Sequence, residues 1–235
     1  CLSEFFDTLG DDLNWDPYIK DIYECAFKPR LANFSVENAQ QISSLMRIMV
    51  QWSGNESLYR FLYYNSFSCT KALVELLHNP HTKEPVLVSI LTACNDVITR
   101  PAQDAEYVEL VTIISTSTLK SLPTLYERLG NSDSISIAIE VLVNLTENGY
   151  VQDDETISYL LSSLTLILES NKNVNNPKII TKMLNVLKTL IPVSTMPFSD
   201  LESLFRTLSG FYQTCADKET RLGVNDVLSA FSQRF

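Results

Sequence analysis

Residues 137–149 read IAIEVLVNLTENG, and this stretch decides the fold. With Ile135 just upstream, Ile139, Leu142 and Leu145 return at three- and four-residue steps, so their side chains line one face of a helix. Gly149 follows the apolar run, where a helix favours a residue in the left-handed conformation. The stretch therefore predicts an amphipathic helix with a defined end, one apolar face turned to a core.

The same pattern spreads outward from about residue 35. Ile42, Leu45, Met46, Met49 and Trp52 trace one face, and Ile157, Leu160, Leu161, Leu164 and Leu168 another. Ile180, Leu184, Leu187 and Ile191 form a third, and Leu201, Leu204, Phe205 and Leu208 a fourth. Breakers lie between the stripes: Gly54 and Gly130 after apolar runs, and Pro80, Pro85, Pro101, Pro123, Pro177 and Pro197 near expected starts. Ser35, Asn55, Asp133, Asp153 and Ser199 stand where a side-chain oxygen can accept from the unpaired amides of a first turn. About twelve helices with short links, and no sheet, are expected.

Helices of this length repeat at a measurable period. The last strongly apolar positions of the stripes, Trp52, Cys94, Leu145, Leu190 and Phe231, are separated by 42, 51, 45 and 41 residues, and each has Met or Leu three positions earlier. Armadillo and HEAT units span about 40 to 47 residues. Val141, Leu142, Val143, Asn144 and Leu145 resemble the third helix of an armadillo repeat, where an aliphatic pair and one further residue precede Asn-Leu. This resemblance to the armadillo/HEAT family implies an all-α, right-handed solenoid of about five repeats with a groove for a partner. Residues 35–235 would form the repeats, and residues 1–34 an acidic helical segment packed on the first of them. Family members that read extended peptides, such as importin-alpha, carry a ladder of Asn with Trp four residues before it. Here the ladder positions are Gln51, Ala93, Asn144, Thr189 and Ala230, preceded by Arg47, Ser89, Glu140, Asn185 and Asp226, which argues against a nuclear-signal reader.

Composition bounds the rest. A chain of 235 residues, 45% apolar and 20% charged, can bury a sizeable core without disulfides or metal. Beginning at Cys1 rather than Met, it is expected to be a piece of a longer protein. The apolar runs fall short of the roughly 20 residues a membrane span needs, and the amino-terminal stretch is acidic where a signal peptide is basic. Five cysteines without a CxxC pair point to a reducing, intracellular compartment, cytoplasm or nucleus. The net charge is −10, and Glu4, Asp7, Asp11, Asp12, Asp16, Asp21 and Glu24 face only Lys20 in the first 25 residues. Such a surface repels phosphate, so the expected partner is another protein, with no direct nucleic acid and no membrane. The sequence leaves the oligomeric state open.

Little in the chain carries chemistry. His78 and His81, the only histidines, flank Pro80 in a turn, with no HExxH helix and no neighbouring Cys to complete a zinc site. All six glycines are isolated, so no loop can wrap a pyrophosphate, and no GxSxG elbow exists. Asp153, Asp154 and Glu155 open a helix, where negative charge offsets its dipole. Neither a catalytic residue, a metal ligand nor a cofactor is expected.

Two stretches remain as candidate contact sites. Tyr59, Phe61, Leu62, Tyr63, Tyr64 and Phe67 are denser in aromatics than one helix face can bury, so they either cement two repeats or present Tyr59, Tyr63, Tyr64 and Phe67 to a partner. Lys172, Lys178, Lys182 and Lys188 form the one basic stretch, with no acid between Glu169 and Asp200. Lys178, Lys182 and Asn185 share a face opposite Ile180, Leu184 and Leu187, either as solvated surface or as a site for an acidic segment. The function expected is a non-enzymatic scaffold or adaptor in a larger intracellular complex, of chromatin-associated, cytoskeletal or co-chaperone type. The alternative is the helical regulatory part of a longer enzyme whose catalytic domain lies elsewhere.

Overall fold

A computed structural model describes residues 14, 16–32, 45, 48, 56–64, 67–100, 104–130, 132–170 and 177–235. Among the described residues every regular segment is helical and no strand occurs. Helix α1 (Ile19–Ile22) runs through a π-helical turn (Tyr23–Phe27) into α2 (Lys28–Ala32). There follow α3 (Glu56–Tyr64), α4 (Ser68–His78), α5 (Glu84–Ile98), α6 (Ala105–Leu129) and α7 (Asp133–Glu147). The last four are α8 (Asp154–Ser170), α9 (Pro177–Leu190), α10 (Phe198–Thr214) and α11 (Lys218–Arg234). The chain gathers into two compact units, Cys1–Ser121 and Leu122–Phe235.

Local chemistry sets most of these ends. Gly149 has φ +73°, and the bonds Tyr150 N–H to Leu145 O (2.9 Å) and Gly149 N–H to Thr146 O (3.1 Å) close α7 in the Schellman arrangement. Asp153 starts α8, its Oδ1 accepting from the Thr156 amide at 2.7 Å. Two further aspartates, absent from the expected caps, do the same: Asp104 accepts from Tyr107 at 2.9 Å and Asp217 from Thr220 at 2.7 Å. Hydrogen bonds from Thr156 and Thr220 hold the Asp153 and Asp217 carboxyls below their usual range.

Other expected ends move. Ser199 lies inside the first turn of α10, behind Pro197, and its hydroxyl donates to Asp200 at 3.0 Å. Pro123 sits inside the 25-residue α6 rather than at a helix start, just past the junction of the two units. A proline there forgoes one helical hydrogen bond, and the apolar positions on either side, Leu119, Leu122 and Leu125, are buried and hold the helix together across it. Ser35, Asn55, Gly54 and Trp52 lie outside the described residues.

In the first unit α3 packs on α4, α4 on α2 and α5, and α1 on α3. Phe27, Tyr59, Leu62, Leu87, Ile90 and Tyr107 are among its largest fully buried side chains. Tyr107 reaches back from α6 to the end of α5, its hydroxyl lying 2.9, 3.2 and 2.7 Å from the carbonyls of Val97, Ile98 and Arg100. Cys69 and Cys94 lie in this core as small hydrophobes, their thiols pushed up to about 12 by burial.

The second unit is layered. Helix α7 packs on α9 and α9 on α11, while α8 packs on α10, and α9 and α11 bridge back to α8 and α10. Alternate helices thus lie side by side. Ile135, Ile139, Leu142 and Leu145 of α7 are fully buried, as are Leu160, Leu161 and Leu164 of α8 and Leu187 and Leu190 of α9. Each such side chain contributes about 1.5 to 3 kcal/mol of transfer free energy. Gly223 lets α11 approach α9: a Cβ there would stand 3.1 Å from Leu184 Cδ1. The aligned positions Leu145, Leu190 and Phe231 fall on α7, α9 and α11, successive members of one layer. One period therefore holds two helices here, where an armadillo repeat holds three.

Candidate interaction surface

Lysines of α9 lie between acids of its two neighbours. Lys182 Nζ is 2.5 Å from Glu140 Oε2 on α7, and Lys188 Nζ is 2.7 Å from Asp226 Oδ2 on α11. Glu140, Asn185 and Asp226 are the equivalent residues of the three helices in the repeat alignment. The middle helix thus sends one lysine to each flanking carboxylate, with its own equivalent position, Asn185, uncharged and exposed. All four ionic side chains are 31 to 55% exposed, so each pair contributes about 0.2 to 1 kcal/mol and mainly fixes the register of the stack.

Of the expected basic face, Lys178 is exposed, Lys182 is half-buried in its ion pair and Asn185 is exposed, all on α9. The structure joins Lys178, Lys182 and Asn185 on one helix but spends the Lys182 charge on Glu140. The sequence does not name Glu140 as the partner, because the two residues stand 42 positions apart. Lys172 lies outside the described residues.

The aromatic stretch belongs to a different unit and a different environment. Tyr59 is 0% exposed, Tyr63 2% and Phe67 8%, with Tyr64 half-buried. Tyr59 packs against Tyr63 and Tyr64, with ring centroids 5.0 and 5.8 Å away, and Arg100 lies over the Tyr59 ring at 3.9 Å. Burial raises the Tyr59 phenol well above its ordinary range. Phe67 takes a left-handed φ of +53° between α3 and α4, turning the chain so that both helices pack on one core.

His78 and His81 are exposed beside the Pro80 turn, and among the described residues no group of three His, Cys, Asp or Glu side chains could hold a metal. No helix among them is long and apolar enough to cross a membrane.

Comparison with known proteins supplies what the surface alone does not. The family described as "U3 small nucleolar RNA-associated protein 20, N-terminal" matches residues 1–235. U3 small nucleolar RNA-associated protein 20 of Saccharomyces cerevisiae is 40% identical over 227 residues, covering 97% of this chain. The protein of the same name from Schizosaccharomyces pombe is 26% identical over 235 residues, covering 94%. The chain spans only 9% of the length of each relative. The crystal structure of an engineered protein aligns with a TM-score of 0.50 at 14% identity, over 84% of this chain and 73% of that one, a likeness of fold alone.

These relatives correct one expectation and support another. A partner set without nucleic acid does not stand, because both relatives are named for association with a small nucleolar RNA. A net charge of −10 is an average over the whole surface, whereas association with an RNA depends on local contacts and on the other members of an assembly. The intracellular setting, cytoplasm or nucleus, stands on the same names. Nothing in them points to a chromatin, cytoskeletal or co-chaperone role.

Proposed function

The chain belongs to the U3 small nucleolar RNA-associated protein 20, N-terminal family, and from that membership we propose that it is a non-enzymatic, helical-repeat subunit region of an assembly containing a small nucleolar RNA. The observation that carries the reading is the family match over the whole of residues 1–235, with 40% identity to a relative so named. The layered packing of α7 to α11 supports the form of the proposal: stacked helix pairs contact mainly their neighbours and offer a long surface to other chains. A right-handed solenoid of about five armadillo/HEAT-like repeats, with residues 1–34 preceding repeats in 35–235, is the architecture we propose. Lys178, with Lys182 and Asn185 beside it, is the contact candidate on the α9 face.

The test is capture of the tagged full-length protein, with the co-purifying small nucleolar RNA quantified. Leu145→Asp, which places a carboxylate in the core of the second unit, is expected to reduce the recovered RNA at least several-fold. Recovery of the RNA at the unmodified level, with the variant region shown to be unfolded by proteolysis, would overturn the role assigned to this region.

A further inference from the structure

The side of the second unit opposite the ion-paired lysines carries a trough between α8 and α10. Its larger part, about 650 Å3, is walled by Glu169 at the end of α8 and by Arg206, Thr207, Gly210, Phe211 and Thr214 of α10. A smaller hollow of about 280 Å3, bounded by Thr165, Leu166, Asp200 and Ser203, adjoins it at Glu169. Both helices present small side chains to it. Gly210, which has no atom within 4 Å of where a Cβ would stand, leaves the floor open. The α10 residues from Asp200 to Thr214 rise about 20 Å along the helix.

We propose that this trough docks a basic amphipathic helix of another protein, a proposal that rests on reading the chain as a binding subunit. The fit is apolar at the floor and acidic at the rim. Leu168 is buried beneath the trough, Phe211 is half-buried, and Leu166 is 59% exposed at its edge. Arg206 is the one cation among the named wall residues, and its guanidinium is tied to Glu202 at 2.6 Å. That leaves Glu169 and Asp200, each hydrogen-bonded by a serine hydroxyl, from Ser203 and Ser199. Two fixed carboxylates beside an apolar floor select a partner with Lys or Arg flanking its apolar stripe. A trough about 20 Å long between two helices accepts about 14 residues of a third.

The probe is a fluorescein-labelled 14-residue helical peptide with Leu on one face and Lys on its flanks, read by anisotropy on the 235-residue chain. Its twin carries Glu for every Lys. The Lys peptide is expected to bind at least tenfold tighter than the Glu twin, and to weaken as salt rises from about 50 to 300 mM. Glu169→Lys with Asp200→Lys should abolish that preference. Gly210→Leu, at an exposed helical position where the fold has room, should block both peptides without lowering the melting temperature. Equal binding of the two peptides, binding undiminished by Gly210→Leu, or displacement of the Lys peptide by a short single-stranded RNA that itself occupies the trough would each overturn the proposal. If no peptide binds while the small nucleolar RNA still co-purifies with the full-length protein, the docking proposal falls and the subunit reading survives.

Discussion

Replacing Tyr107 by Phe removes one oxygen from beside the carboxyl-terminal end of α5. The Tyr107 hydroxyl has a single proton and lies within 3.2 Å of three carbonyls, those of Val97, Ile98 and Arg100. The shortest contact, 2.7 Å to Arg100 O, marks the main acceptor, and Val97 O also accepts from the Arg100 amide at 3.3 Å. Deletion therefore removes the hydrogen bond to the part-buried Arg100 carbonyl and the weaker contacts to Val97 and Ile98, about 2 kcal/mol in all. The ring itself keeps its packing, because Phe fills the same space. A loss of about 2 kcal/mol lowers the melting temperature of a chain this size by about 4 to 8 °C. Urea unfolding followed by circular dichroism gives the energy. Amide exchange gives the place: Thr99 and Arg100, whose amides bond to Asn95 and Val97, should exchange faster, while α9 amides should not change. Tyr212→Phe, at an exposed tyrosine, is the control. A Tyr107→Phe midpoint matching that of the control would refute the capping role.

Leu145→Asp puts a carboxylate at a position with no solvent exposure and should unfold the second unit, visible as loss of its cooperative melting transition; a melt within a few degrees of the parent would show that the α7 register is wrong. A double-mutant cycle on Lys182 and Glu140, each replaced by Ala, should return a coupling of about 0.2 to 1 kcal/mol that shrinks with salt, and a coupling above about 2 kcal/mol would contradict a half-exposed pair. Gly223→Leu should destabilise by about 1 to 3 kcal/mol by pressing on Leu184 and parting α11 from α9, whereas an unchanged urea midpoint would show that the close approach is not needed. Because the folded carboxyls of Asp153 and Asp217 titrate below their unfolded values, their stabilisation is complete above about pH 4 and is lost as the pH falls through the folded values; Asn at both sites should flatten the acid limb of melting temperature against pH, and an unaltered limb would sink the assignment.

What the sequence determined by itself is local. Helix ends governed by one or two residues, such as the left-handed Gly149 and the Asp153 cap, were legible because their chemistry spans only a few positions along the chain. So were the apolar stripes, and with them the all-helical class and the spacing of Leu145, Leu190 and Phe231. Ile135, Ile137, Ile139, Val141, Val143 and Leu145 also alternate as a strand would, and the packing of Ala138 and Leu142 into the core, with Ile137 and Val143 half-exposed, is what selects the helix. Tertiary structure alone decided which polar groups meet. Lys182 finds Glu140 across 42 residues and Lys188 finds Asp226 across 38, so an apparently free basic face becomes part of the stack. It decided equally that Tyr59 and Tyr63 lie inside, and that α8 and α10 leave a trough beside Gly210. The physical reason is range. Capping, turn geometry and helical periodicity act over a few residues and are written in order along the chain, whereas ion pairing, burial and grooves depend on which helices lie side by side.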